Sequence, residues 1–104
     1  MDIASLTDRG DVQVVDVRED DEWSAGHIAG ARHIPLGQLT ARVGELDLER
    51  TIAVVCRSGA RSSRAVAALV AAGLPAQNVD GGMTAWALSG RPVTTEDGRS
   101  GRVV

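Results

Sequence analysis

Cys56 is the only cysteine among the 104 residues, and it stands where its sulfur could act as a nucleophile. The mostly apolar run 51–55 precedes it, and a basic loop containing Gly59 follows, before an alanine-rich stretch that ends at Gly73. This order predicts a strand, a tight loop and a helix. The thiol would then lie at the carboxyl end of a buried strand, with a helix N-terminus aimed at it. Backbone N–H groups of the loop and the positive end of the helix both favour the thiolate, which is the reactive form of cysteine.

Three arginines follow the cysteine within eight residues: Arg57, Arg61 and Arg64. Clustered arginines repel one another unless an anion or an acidic partner compensates their charge. A cysteine after a valine pair is otherwise often only a small buried hydrophobe. The basic loop therefore favours a nucleophile that acts on an anionic substrate.

Composition excludes several classes of function. The net charge of −3 gives the chain as a whole no electrostatic basis for binding nucleic acid. One cysteine cannot form a disulfide within the chain, and no histidines or cysteines have the spacing of metal ligands. We therefore expect no metal and no cofactor.

The start of the chain is acidic and does not resemble a secretory signal, and the longest apolar run, 65–74, is too short to span a membrane. These features, with the single cysteine, predict a cytoplasmic protein without membrane contact. The length fits one domain, for which we expect residues 1–92. The segment 93–104 is rich in Thr, Asp, Gly and Arg, and we expect a flexible tail there.

The hydrophobic pattern predicts alternating strands and helices. Strands are expected at 11–17, 31–34, 51–55 and 78–79, and helices at 19–25, 39–46, 64–72 and 83–89. Ser62 and Ser63 are candidate N-caps for the third helix. Such alternation favours an α/β fold, a small parallel sheet flanked by helices on both faces. Ligands of parallel sheets bind beyond the carboxyl ends of the strands, where Cys56 would lie.

Several groups of residues carry a resemblance when their order and spacing are taken together. They are Val15 to Arg18, then Glu22 with Gly26 to Ala31, then His33 to Pro35, then Val54 to Ser62, and finally Gly81 to Trp86. In these groups the chain resembles the rhodanese family, and specifically its small single-domain bacterial sulfurtransferases. The resemblance spans residues 12 to 92. Two features depart from it: Ser58 stands where two-domain members have a basic residue, and the usual first strand is reduced to a few residues around Ile3.

The resemblance implies both a fold and a reaction. The fold is a small parallel sheet flanked by helices, with the cysteine at the base of a cradle-shaped loop. In the reaction the Cys56 thiolate attacks the outer sulfur of thiosulfate, sulfite leaves, and the enzyme holds a persulfide. A thiophilic acceptor such as cyanide, a dithiol or a sulfur-accepting protein then takes the sulfur. The loop Cys56 to Arg61 fits the family's thiosulfate type, Cys-Arg-x-Gly-x-Arg, and not the mercaptopyruvate type, which begins Cys-Gly.

We assign expected roles to the residues of the loop and its surroundings. Cys56 is the catalytic nucleophile. The residues expected to bind the anionic donor are Arg61, Arg57, Ser58, Gly59, Ala60 and Ser62. Asp16 and Arg18 are expected to form a structural pair that supports the loop by hydrogen bonds. We expect local hydrogen bonds from His27 and His33, and core packing for Trp23 and Trp86.

Three other functions compete with this interpretation. Phosphatases and arsenate reductases also hold a cysteine in an anion-binding loop, but theirs resembles Cys-x5-Arg, and here Ser62 occupies that arginine position. A non-catalytic rhodanese-like interaction module is a second alternative, although such modules generally lack the cysteine. The third is a persulfide carrier in a sulfur relay, with thiosulfate only a convenient donor.

Overall fold

The computed structural model describes residues 1–6 and 10–104. The strands are β1 (Val12–Asp16), β2 (Arg32–His33), β3 (Thr51–Val55) and β4 (Ala76–Asn78). The α-helices are α1 (Asp20–Ala25), α2 (Leu39–Arg42), α3 (Ala60–Ala71) and α4 (Gly82–Leu88). Short 3-10 helices cover Ile3–Leu6, Leu36–Gln38 and Val43–Glu45.

The four strands form one parallel sheet in the order β2-β1-β3-β4. In the central pair Asp16 lies opposite Val55, so β1 and β3 end at the same level. On the other side of β3, Val54 lies opposite Asn78, the last residue of β4. The carboxyl ends of three strands therefore meet beside Cys56. The predicted fold class is confirmed.

The central strand β3 is buried on both faces, which explains why its sequence is a continuous apolar run. Ile52 and Val54 pack into a core that includes α3, whereas Ala53 and Val55 pack into a second core with α4. Successive side chains of a strand point to opposite faces. Cys56 follows with the parity of Val54, so its side chain belongs to the α3 face of the sheet.

The start of α3 differs from the predicted one. The helix begins at Ala60, not at Arg64, and Gly59 is its N-cap residue, with φ 113°. Glycine takes such a positive φ without steric cost, so the backbone turns into the helix as soon as the loop ends. The prediction that Ser62 and Ser63 are N-caps is wrong. Ser62 lies in the first turn, fully buried, and contacts the cysteine sulfur.

Two further segments are less regular than their sequence patterns predict. The apolar spacing of 39–46 indicated one helix, but the structure has α2 followed by the 3-10 turn Val43–Glu45. The residues around Ile3 form a 3-10 helix and not a short strand. Among the described residues no helix is both long enough and apolar enough to cross a membrane.

The segment 93–104 runs back over the start of the domain. Thr94 and His27 exchange two backbone hydrogen bonds, at 2.8 and 2.9 Å. Farther along, the N–H of Arg102 donates to the Ala25 carbonyl at 2.9 Å. Val93 and Val103 pack against the core on the α4 face. The flexibility of this tail and the domain boundary at residue 92 stay predictions.

Candidate active site

Cys56 directly follows β3 and is almost fully buried, with 1% of its surface exposed. The start of α4 holds its backbone: the Met83 N–H donates to the Cys56 carbonyl at 2.8 Å, and the Thr84 N–H donates to the Arg57 carbonyl at 2.9 Å. Gly82 makes this approach possible. A Cβ on Gly82 would lie 2.9 Å from the carbonyl carbon of Arg57, closer than real side chains come. The nucleophile is thus fixed by a strand end and a helix start.

Two donors face the sulfur. The backbone N–H of Gly59 donates to Cys56 Sγ at 3.1 Å, and the hydroxyl of Ser62 lies 3.3 Å from the same atom. The left-handed backbone at Gly59 turns its N–H inward, toward the sulfur. The loop therefore surrounds the thiol with hydrogen-bond donors, as a cradle for an anion does.

These donors decide the acidity of the thiol. Burial by itself would raise the pKa of Cys56, because it disfavours the charged form. Hydrogen bonds from the Ser62 hydroxyl and from the backbone N–H groups of Ser62, Gly59 and Ser58 outweigh burial, so the pKa of Cys56 lies below its ordinary value. The thiolate is therefore favoured mainly by hydrogen bonds from the loop, and not by the charges of the arginines.

Ser62 links the sulfur to Asn78, a residue that sequence reasoning missed. The Ser62 hydroxyl lies 2.5 Å from the side-chain oxygen of Asn78 and 3.2 Å from the Gly59 carbonyl. A hydroxyl has one proton, and it cannot serve all three neighbours. When the sulfur is a thiolate, the proton belongs on the Ser62–sulfur bond, and Asn78 is then best oriented with its amide N–H toward Ser62. The position of Asn78 at the end of a strand beside β3 is the signal that could have found it.

Arg61 is placed beside the site but is already paired. Its guanidinium donates to both carboxylate oxygens of Glu22, at 2.6 and 2.8 Å. Hydrogen bonding to Glu22 raises the pKa of Arg61 above its usual range, and the charge of Cys56 contributes in the same direction. Arg61 therefore lies within electrostatic range of the thiolate. Its binding of an anionic donor stays a prediction.

The other loop residues form the rim. Arg57, Ser58 and Ala60 are exposed, and Gly59 is half-buried. The Nε of Arg57 donates to the backbone oxygen of Val104 at 2.9 Å, so this side chain contacts the tail. Their roles in binding the donor, like that of Ser62, stay predictions.

Asp16 and Arg18 form the expected pair. Both are fully buried, and Arg18 donates from Nε and Nη2 to the Asp16 carboxylate at 2.8 to 3.1 Å. A further bond runs from Arg18 Nη2 to the Gly26 carbonyl at 2.8 Å. These bonds tie the end of β1 to the end of α1, and support of the Cys56 loop by this pair stays a prediction. Arg18 Nη1 is buried without a hydrogen-bond partner among the described residues.

His27 makes the expected local hydrogen bond, whereas His33 bonds a carbonyl 15 residues away along the chain. His27 Nδ1 lies 2.8 Å from the Trp23 carbonyl, and His33 Nε2 lies 2.7 Å from the Arg18 carbonyl. Trp86 is buried in the core on the α4 face. The core-packing prediction for Trp23 is wrong: this half-buried indole stacks on the rings of His27 and His33, with centroid distances of 3.6 and 4.8 Å.

Cavity size and metal-binding potential do not mark a different site. A surface depression of about 500 Å³ lies beside Val12, Ile28 and Arg50, and no residue of the Cys56 loop lines it. Across residues 1–6 and 10–104, no three His, Cys, Asp or Glu side chains form a group that could hold a metal ion. The thiol of Cys56 is therefore the candidate reactive group.

The relatives of this chain among known proteins include sulfurtransferases and a putative sulfur carrier. A sulfurtransferase of Allochromatium vinosum is 37% identical over 94 residues, which are 89% of this chain and 88% of that protein. The thiosulfate sulfurtransferase GlpE of Shewanella oneidensis is 33% identical over 81% of this chain and 84% of its own length. The putative sulfur carrier protein YrkF of Bacillus subtilis is 38% identical over 72% of this chain, which spans 41% of that protein.

A solved structure and a family match point to the same family as these relatives. The crystal structure of a rhodanese-related protein from Thermoplasma volcanium has a TM-score of 0.86 and 35% identity, and covers 92% of this chain and 97% of that one. The family described as Rhodanese-like domain matches residues 2–89. With the parallel sheet, the cysteine loop and this match over most of its length, the chain belongs to the rhodanese-like family.

Proposed function

We propose that this protein is a sulfurtransferase that takes sulfane sulfur from thiosulfate, or a related donor, onto Cys56. The Cys56 thiolate attacks the outer sulfur of thiosulfate, a new S–S bond forms, and the bond between the two sulfurs of the donor breaks with its electron pair leaving on sulfite. A thiolate and a thiosulfate dianion give a persulfide anion and a sulfite dianion, so charge balances. Cyanide then removes the outer sulfur as thiocyanate and regenerates the thiolate.

One observation carries the proposal: Cys56 is a buried free thiol whose pKa is lowered by hydrogen bonds from its own loop. The lowered pKa of Cys56 increases the thiolate fraction, so the reaction depends less on a separate base. The expected roles of Asp16 and Arg18 as support and of the loop residues as donor-binding groups belong to this proposal.

The test is the intact mass of the protein. Thiosulfate should add one sulfur atom, and cyanide should remove it with formation of thiocyanate. Cys56→Ser should show neither change, whereas Ser63→Ala, an exposed neighbour on α3, should behave like the wild type. An unchanged wild-type mass after treatment with excess thiosulfate and with other sulfane donors would disprove the sulfurtransferase.

The same proteins distinguish the phosphatase alternative. A phosphatase would hydrolyse an aryl phosphate with dependence on Cys56 and would form no thiocyanate. Hydrolysis lost in Cys56→Ser, together with an absence of thiocyanate in the wild type, would replace our proposal with that reaction.

A persulfide carrier is the second candidate, and the similarity to a putative sulfur carrier protein favours it. Carrier and enzyme share the persulfide and differ in the acceptor. An enzyme of small substrates should turn over many times with thiosulfate and cyanide. A carrier should keep its persulfide after removal of the donor, and lose it rapidly only to an acceptor protein.

A further inference from the structure

Glu22 is an acidic residue in direct contact with Arg61, one of the expected anion-binding groups. Its carboxylate receives two hydrogen bonds from Arg61, and it also accepts the backbone N–H of Glu19 at 3.0 Å. The side chain is 14% exposed, less than the 30% of Arg61. The carboxylate is therefore anchored from two sides, and a donor that binds Arg61 must bind beside it.

Two arginines near the thiolate are paired with carboxylates. Arg18 is neutralised by Asp16, and Arg61 is neutralised by Glu22. Arg57 is exposed and donates to the tail at Val104. The arginine-rich sequence of the loop thus does not translate into a strongly positive site. A dianion therefore gains less from Arg61 than an unpaired arginine would give it.

The Glu22 charge is permanent under assay conditions. Hydrogen bonds from Arg61 act against burial and hold the pKa of Glu22 at about 2, with a smaller contribution from the charge of Arg18. Between pH 5 and pH 9 the carboxylate therefore stays ionised.

We propose that Glu22 is a specificity-determining residue, which neutralises Arg61 and so makes the site favour sulfane donors with one negative charge or none over the thiosulfate dianion. The inference rests on the proposed sulfurtransferase reaction and names the class of its donor. A fixed negative charge repels a dianion twice as strongly as a monoanion at the same distance. Removal of that charge must therefore help thiosulfate more than a singly charged donor.

Thiosulfate and methanethiosulfonate are a suitable pair of donors. Both carry a terminal sulfane sulfur on a sulfonyl group, but thiosulfate has two negative charges and methanethiosulfonate has one. The second donor reacts in the same way: the Cys56 thiolate takes the outer sulfur, and methanesulfinate leaves with the electron pair. Each reaction gives the same persulfide, so donor charge is the main variable.

The experiment measures kcat/KM for both donors, with cyanide as the acceptor, in the wild type and in Glu22→Gln. Glutamine keeps the oxygen that accepts the Glu19 N–H and one Arg61 N–H, removes the charge, and replaces the second oxygen with an N–H₂ group, so one hydrogen bond from Arg61 is also lost. We expect kcat/KM to rise about tenfold for thiosulfate and about threefold for methanethiosulfonate, so that their ratio rises about threefold. Glu45→Gln is the matched control, because it makes the same change in net charge at a surface carboxylate paired with Arg42.

A second variant moves the ratio in the opposite direction. In Arg61→Ala the Glu22 carboxylate loses its partner, so kcat/KM should fall by about tenfold or more for thiosulfate and by less for methanethiosulfonate. An unchanged ratio of the two donors in Glu22→Gln, or an equal rise in Glu45→Gln, would overturn the inference. Failure of the proposed function looks different: neither donor would then load Cys56 of the wild type.

Discussion

The single proton of the Ser62 hydroxyl is one of the groups that lower the pKa of Cys56. Its hydroxyl has three neighbours: Cys56 Sγ at 3.3 Å, the Gly59 carbonyl at 3.2 Å and the Asn78 side chain at 2.5 Å. Only donation to the sulfur stabilises a thiolate. Asn78 accommodates that choice, because its amide group has both a donor and an acceptor. The direction in which the Ser62 hydroxyl donates its proton thus affects the pKa of Cys56.

Ser62→Ala should therefore make Cys56 less acidic. Without the hydroxyl, the backbone N–H groups remain and burial still disfavours the thiolate, so the pKa of Cys56 should rise. Loss of one hydrogen bond to a charged group, about 1.5 kcal/mol, should move the midpoint of the alkylation rate upward by about one pH unit. The measurement is the rate of iodoacetamide alkylation against pH. Ser63→Ala is the control, and equal midpoints for the two variants would show that the backbone donors suffice.

At this scale the sequence identified the nucleophile and missed its distant partners. Cys56, Gly59 and Ser62 lie within seven consecutive residues, so a local pattern places them together. Glu22 and Asn78 come to the site from 39 and 16 residues away along the chain. Their contacts depend on how α1 and β4 pack, and no local pattern contains that information.

The start of α4 is the element that fixes the cysteine backbone. Its first turn donates to the carbonyls of Cys56 and Arg57, and the approach is close enough that residue 82 has no space for a side chain. Gly82 also has a positive φ of 55°. The position therefore needs glycine for two separate reasons, and the two can be distinguished experimentally.

Gly82→Ala should destabilise the protein and slow persulfide formation together. A left-handed alanine costs about 1–2 kcal/mol, and displacement of the Cys56 carbonyl adds about 1–3 kcal/mol. Gly90→Ala is the matched control: its φ is 81°, but a Cβ there would meet no atom within 4 Å. Urea unfolding and the rate of persulfide formation check the prediction. Equal losses in both variants would contradict the role of the close approach.

The bounds of an element were predicted accurately where burial determines them, and poorly where the conformation of a loop determines them. The continuous apolar run of β3 predicted Thr51–Val55 with its observed bounds. The start of α3 was placed four residues late, because serine is a common N-cap and the left-handed turn at Gly59 leaves no periodic pattern. With this earlier start, the Ser62 N–H in the first turn of the helix faces the sulfur.

In the whole molecule, one core lies on each face of the sheet, and the core on the α4 face is also covered by residues from outside the helices and strands. The tail 93–104 covers part of the α4 face through Val93 and Val103, and its backbone pairs with His27. Composition alone predicted a flexible tail, since few large apolar residues occur there. The contacts favour an ordered one.

Deletion of residues 93–104 distinguishes these two views. If the contacts persist in solution, the deletion should lower the free energy of unfolding by about 2–4 kcal/mol, through exposed apolar surface and lost hydrogen bonds. Hydrogen exchange at the amides of His27, Thr94 and Gly101 should also be slow in the full chain. An unchanged unfolding midpoint and fast exchange at these amides would support the flexible tail.

Burial of the cysteine has a consequence for reach. With 1% of its surface exposed, the bare sulfur of Cys56 is closed to the thiols of other macromolecules. A sulfur–sulfur bond is about 2 Å long, so in the proposed persulfide the transferable atom extends about that much farther along the side chain. Large acceptors would then meet only the loaded protein, and the empty one would escape trapping as a mixed disulfide. Loading with sulfur would thus determine whether a macromolecular acceptor can reach the site.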